Sequence, residues 1–215
     1  MKSIREACID FNDLKLGNEP DDLRDCRVSE FGEFGRMGGK TYYYALYCLI
    51  PNYTEEATCG DGSFTADNYR ERALAVFTKV PSDTIPRLFL VRVDPDVGIL
   101  RYEKPRIVET SGMTILHVPI VVDGTGVGNR SDYLLWENGN WVPIESESWL
   151  KDLERRIPNN LRILKGVWPD LQTMHAETGL YKEGDPNCCP SGGTVGIRLS
   201  IRARQFVVEG ILISK

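Results

Sequence analysis

The sequence lacks any apolar run long enough to cross a bilayer: runs such as Ile115 to Val122 fall far short of the roughly 20 residues a spanning helix needs. It also lacks a cluster of Lys and Arg, and its formal charge is −5, which argues against a protein that wraps nucleic acid by neutralising phosphates. Histidine is scarce. His117 and His175 are the only two, and neither stands in H-E-x-x-H or a similar metal-ligand spacing. There is no G-x-S-x-G elbow to support a serine nucleophile and no C-x-x-C pair to mark a redox or thiolate-metal motif. Met1-Lys2-Ser3-Ile4-Arg5-Glu6 carries no apolar leader core, so the chain is expected either to be cytosolic or to have had a leader removed. No internal repeat, low-complexity tract or cofactor motif is present.

What the sequence does contain is an ordinary globular composition, 41% hydrophobic and 27% charged over 215 residues, enough to bury a core without staples. Its cysteines are an even set: Cys8, Cys26, Cys48, Cys59, Cys188 and Cys189. All six are disulfide candidates. Six cysteines permit about 15 complete pairings, among which Cys8 with Cys26 and Cys48 with Cys59 are the most local. Cys48, inside the apolar run Tyr42 to Ile50, is the best candidate for a free buried thiol instead. An oxidised framework points to an exported protein, periplasmic or extracellular.

Residues 1–40 read as a loop-rich lead-in, acidic through Asn18-Glu19-Pro20-Asp21-Asp22 and then rich in glycine. From 41 to 215 a single domain is expected. Short apolar runs separated by Gly, Pro and Asp place strands near 41–50, 73–80, 87–93, 97–102, 105–109, 113–122, 131–137, 140–144, 161–165, 194–202 and 205–213. Asn138-Gly139 is the preferred dipeptide of a two-residue hairpin turn. Val195, Ile197, Leu199 and Ile201 alternate with polar neighbours, which describes a half-buried antiparallel strand. Trp149, Leu150, Leu153 and Ile157 fall at helical spacing over about 147–157, with Ser146 or Ser148 as N-cap and Pro158 as the stop. Shorter helices are expected from Pro169 to about Glu177 and from Asp67. The fold class that follows is α+β: mainly antiparallel β-sheet with one clear helix and one or two short ones.

The glycine run Asp123 to Asn129 has G-x-G-x-G spacing and leads into a strand, so it reads as a connection and not as a phosphate loop. Carboxylates are plentiful (Asp94, Asp96, Glu103, Glu109, Asp123, Asp132, Glu137, Asp170, Glu177, Asp185), but nothing in their spacing pairs two of them across a substrate. Trp136, Trp141, Trp149 and Trp168 could stack a sugar; packing is the expected role.

One segment stands apart: Asp185-Pro186-Asn187-Cys188-Cys189-Pro190-Ser191-Gly192-Gly193. Adjacent Cα atoms lie about 3.8 Å apart, below the usual disulfide range. The two thiols could therefore form a vicinal redox pair, two separate bonds to distant cysteines, or part of a thiolate metal site. A structural loop, stiffened by Pro186 and Pro190, is the favoured reading.

With Tyr181-Lys182-Glu183-Gly184 before it and a strand after it, this motif resembles the C-terminal segment of uncharacterised bacterial exported proteins and lipoproteins, the LppP/LprE-like lipoproteins among them. The resemblance covers roughly the last 40 residues. It implies an envelope or secreted location and carries no activity or catalytic residue. The function expected is that of a non-enzymatic exported envelope domain that binds an unidentified protein or small molecule, without nucleic acid, metal or cofactor. The rivals are a secreted hydrolase using carboxylates or His175, and a thiol-redox protein using Cys188 and Cys189.

Overall fold

A computed structural model of the chain describes residues 23–51, 58–59, 68–69, 71–93, 100–122 and 131–214. The chain divides into two compact units, Met1–Arg106 with Pro119–Asp123, and Ile107–Val118 with Gly124–Lys215.

In the first unit, β1 (Leu23–Met37) and β2 (Lys40–Pro51) form a long hairpin closed by Gly38-Gly39, both at positive φ. After the short parallel pair β3 (Thr58–Cys59) and β4 (Asn68–Tyr69) come β5 (Glu71–Lys79) and β6 (Arg87–Val93), giving a four-stranded sheet in the order β1-β2-β5-β6. β7 (Leu100–Tyr102) pairs antiparallel with β10 (Ile120–Val122). The inner strands are buried at successive positions, 44–48 in β2 and 73–76 in β5, so both pleat faces are covered and the apolar run is continuous instead of alternating. Ala45, Tyr47, Ala73 and Ala75 form one cluster with Val28, Phe31, Phe77, Val91 and Val93 against it. Tyr44 donates a hydrogen bond to the Glu30 carboxylate.

The second unit holds β8 (Arg106–Thr110), β9 (Met113–Val118), β11 (Asp132–Glu137) and β12 (Asn140–Pro143) in a sheet ordered β12-β11-β9-β8. It continues with helix α1 (Ser148–Arg156) and a sheet of β13 (His175–Gly179), β14 (Thr194–Arg202) and β15 (Gln205–Ser214). Asn138 and Gly139 take φ of 49° and 81°, the left-handed pair such a hairpin requires. They bring Trp136 and Trp141 opposite each other, edge to face at 5.0 Å. Val195, Ile197 and Leu199 are buried and face a core with Trp149, Leu153, Ile115, Leu135, Phe206 and Val208. Among the described residues, no helix is long and apolar enough to cross a membrane.

The α+β expectation is overturned. Among the described residues 59% are strand and 6% helix, nearly all-β with one short helix. Residues 169–177 have Leu171 and Met174 at helical spacing, yet they form a tight turn into β13. Asp170 Oδ1 accepts the backbone N–H groups of Gln172 (2.8 Å) and Thr173 (3.3 Å), Met174 takes a φ of 53°, and the Asp170 N–H closes on the His175 carbonyl at 2.7 Å. A side-chain acceptor that satisfies the next amides locally competes with a helix. The helix expected from Asp67 begins outside the described residues, and the described chain after it is β4 and then β5. Residues 23–37, read as lead-in, are β1. Residues 161–165 form only a bridge, Arg162 to Tyr181. The helix also lacks a serine cap: its N-cap residue is Glu147, with no side-chain capping bond.

Candidate functional site

The segment 180–193 links β13 to β14 and contains the whole double-cysteine motif. Its local chemistry decides its shape. Gly184, at a φ of 86°, allows the turn in which the Asp185 N–H reaches the Lys182 carbonyl at 3.2 Å, the glycine standing where a type II turn demands positive φ. That turn aims the Asp185 carboxylate back across the loop. Oδ2 accepts the N–H groups of Lys182 (2.7 Å) and Ser191 (2.9 Å), and Oδ1 accepts the Ser191 hydroxyl at 2.8 Å. These bonds, the Ser191 amide foremost and the Lys182 amide next, hold the carboxyl below the ordinary aspartate range.

A second turn carries the cysteines: the Cys189 N–H donates to the Pro186 carbonyl at 2.9 Å. Beneath it Tyr181, 1% exposed, donates its hydroxyl to the Asn187 carbonyl at 3.0 Å. The base is stitched by Leu180 N–H to Gly193 O (2.9 Å) and Gly192 N–H to Leu180 O (2.8 Å), and by reciprocal 2.9 Å bonds between Arg162 and Tyr181. Two glycines allow close packing. A Cβ on Gly179 would stand 2.6 Å from the Pro190 ring, and one on Gly192 would stand 2.6 Å from Leu161 Cδ2 and 2.7 Å from the Leu180 carbonyl oxygen.

At the tip, Cys188 and Cys189 are bonded to each other, and every residue from Pro186 to Ser191 is exposed. Of the three fates open to these thiols, the structure contains the vicinal one; bonds from this loop to distant cysteines are excluded. Cys48 is buried and is also disulfide-bonded, which corrects its reading as a free thiol; its partner is outside the described side chains. Cys26 stands in β1 and Cys59 in β3 by backbone alone, and Cys8 lies outside the described residues.

The histidines do not converge on this loop. His117 is buried at 5% exposure and stacks on Tyr133 at 4.7 Å, its partner across the β9–β11 pair. His175 is exposed, with Nδ1 bonded to the Thr173 carbonyl at 2.7 Å, and Glu177 follows it on the same face of β13. Among the described residues, no group of three or more His, Cys, Asp or Glu side chains is arranged to hold a metal ion. Of the carboxylates, Glu103 pairs with Arg101 and Asp170 caps a turn, while Asp94, Asp96, Asp123 and the glycine run 123–129 lie wholly or largely outside the described residues. Trp149 is buried, with its indole N–H on the Ser146 carbonyl at 2.9 Å. Trp168 is exposed.

An open cleft of about 530 Å³ is lined by Met113, Leu135, Glu137, Ile201, Ala203 and Arg204, residues that the sequence reading did not join. Glu137 Oε2 accepts from Arg204 through Nη2 at 2.7 Å and Nε at 3.0 Å. Ala203 and Arg204 form the two-residue turn between β14 and β15 with φ of 49° and 60°. The visible sign of this turn was its spacing, two alternating runs only two residues apart. Neither residue is one of the glycines or asparagines that usually mark such a turn. Within the cleft the Glu137–Arg204 ion pair stands beside the apolar side chains of Met113, Leu135, Ile201 and Ala203.

Compared with known proteins, the chain matches no family model, no curated protein and no solved structure.

Proposed function

We propose that this protein is an exported binding domain, and that the 180–193 loop is the surface it presents to a protein partner. The observation that carries the reading is the division of labour in that loop. Asp185, Tyr181, Gly179 and Gly192 hold the base and sides in one arrangement, while Pro186 to Ser191 are left exposed. A surface loop ordered before binding loses less conformational entropy when a partner docks, which is the general advantage of preorganisation. Two prolines lower that loss further. The oxidised state of Cys48, Cys188 and Cys189 favours a compartment where disulfides persist. The resemblance to exported lipoproteins points the same way.

Site-specific photocrosslinking tests the proposal. A photoreactive residue at Asn187 in the exported protein is expected to capture a discrete partner in intact cells, whereas the same residue at Lys151, on the exposed face of α1, captures none. Adding Asp185→Ala to the Asn187 probe should abolish the adduct. Equal capture at both positions, or capture that survives loss of Asp185, would remove the loop from the function.

A further inference from the structure

A disulfide stabilises a fold by closing a loop in the unfolded chain, and its effect grows with the number of residues enclosed. Cys188 and Cys189 are neighbours, with Cα atoms 3.8 Å apart, so their bond encloses no residue between them. It does not act as a staple. Nor does the loop depend on it: the two turns, the Asp185 carboxylate, the Tyr181 hydroxyl and the packing at Gly179 and Gly192 hold the segment from outside the S–S bond. What remains for the bond is its own chemistry. Thiol–disulfide exchange needs an accessible sulfur, and both cysteines are exposed at the tip. Their Cα spacing also lies below the range in which disulfides are usually found.

We propose that Cys188 and Cys189 form a reversible two-electron thiol–disulfide exchange site whose reaction partner is a dithiol. A thiolate of the dithiol attacks Sγ of one cysteine. The Cys188–Cys189 bond breaks, a mixed disulfide forms, and the released cysteine thiolate takes up a proton. The second thiolate of the partner then attacks the mixed disulfide at the partner's own sulfur, expelling the other cysteine, which is protonated in turn. The protein has gained two electrons and two protons, and the dithiol has become a disulfide. Reoxidation by a disulfide of higher potential reverses each step. The loop's scaffold stays in place throughout.

The test is graded reduction of the full oxidised chain, alkylation, and mass spectrometry of the peptide carrying both cysteines. One arm uses dithiothreitol and the other a protein dithiol of the C-x-x-C type, which distinguishes a small from a protein-borne partner. In at least one arm, both cysteines are expected to be alkylated at reductant levels that leave the Cys48 bond intact, and glutathione disulfide should restore the bond. The melting temperature should move by less than about 2 °C, since no chain loop is opened. Cys188→Ser and Cys189→Ser should each accumulate one glutathione adduct on the remaining thiol, the halfway state of exchange. The proposal is overturned if the pair opens only together with Cys48, if its reduction melts the protein, or if neither single variant takes up glutathione. Crosslinking at Asn187 is a separate readout, so the two proposals can fail independently.

Discussion

Asp185 supplies its loop with three bonds from one carboxylate, to groups three residues back and six residues ahead. Because those bonds favour the ionised form, the carboxyl titrates below its ordinary value, and the sign of the linkage follows. The contribution is fully present above the unfolded-state aspartate pKa and is lost as pH falls through the depressed folded value. The amide proton resonances of Lys182 and Ser191 should therefore titrate together, with a midpoint below 3.8, the reference value for the group. In Asp185→Asn that step should vanish; its persistence would assign the titration to another group. Glycine supplies a second contrast at this scale. Gly192→Ala puts a Cβ against a backbone carbonyl that cannot yield cheaply, and overpacking of this kind costs about 1–3 kcal/mol. Gly196→Ala, in mid-strand, meets only the Leu212 carbonyl oxygen at 3.8 Å and should stay within about 0.5 kcal/mol of wild type. Chemical denaturation of the two variants decides it.

At the scale of elements, the cap of α1 comes from a residue that the sequence pattern did not suggest. Glu145 lies before the helix and accepts the N–H groups of Glu147 (2.9 Å) and Ser148 (3.0 Å). Partial burial acts to raise its pKa, but a hydrogen bond from the Ser148 side chain, those two backbone bonds and the charge of Lys151 outweigh it and leave the carboxyl below its usual value. Glu145→Ala should cost about 0.5–1 kcal/mol at neutral pH, the lower part of the capping range for a solvent-exposed group. The gap from wild type should close as pH falls through the depressed pKa, and thermal melts in a pH series descending from 7 would reveal it. The same scale separates what the sequence made legible from what it hid. Asn138-Gly139 and the 194–202 alternation were legible because one local rule governs each: positive φ at the turn, one buried face at the strand. β1 was hidden because it is an edge strand with three register shifts against β2, and its glycines read as loop. The strand is held by pairing and by Val28 and Phe31 against the inner strands, a tertiary cause with no local signature. Within the candidate site, Pro and Gly marked the loop, but the partner of each thiol and the reach of Asp185 across it depend on geometry. The Ala203-Arg204 turn was legible only as the two-residue gap between the strands at 194–202 and 205–213, since its residues oppose their own backbone. Ala203→Asn should recover about 0.5–1 kcal/mol by suiting the left-handed conformation, read as a higher melting temperature; an unchanged or lower one would count against strain at this turn.

For the molecule as a whole, the two kinds of disulfide divide stability from chemistry. Cys48 is buried in β2, an inner strand flanked by β1 and β5, and its bond reaches a cysteine other than Cys188 or Cys189, which hold each other. Any such bond spans several residues at least and constrains the unfolded chain, with a stabilisation of typically about 2–4 kcal/mol. The Cys188–Cys189 bond constrains nothing beyond its own peptide. Full reduction should therefore lower the unfolding midpoint by several degrees, and the loss should belong to bonds other than Cys188–Cys189, that of Cys48 among them. A chain carrying Cys188→Ser with Cys189→Ser should melt in its oxidised form as wild type does, and should lose as much on reduction. Far-UV circular dichroism during heating, with and without reductant, supplies all four transitions. If the double variant already melts where reduced wild type does, the vicinal bond is the staple and the assignment is reversed. If the assignment holds, stability rests on bonds that enclose a length of chain, and opening the exposed pair leaves β13, β14 and β15 as they are.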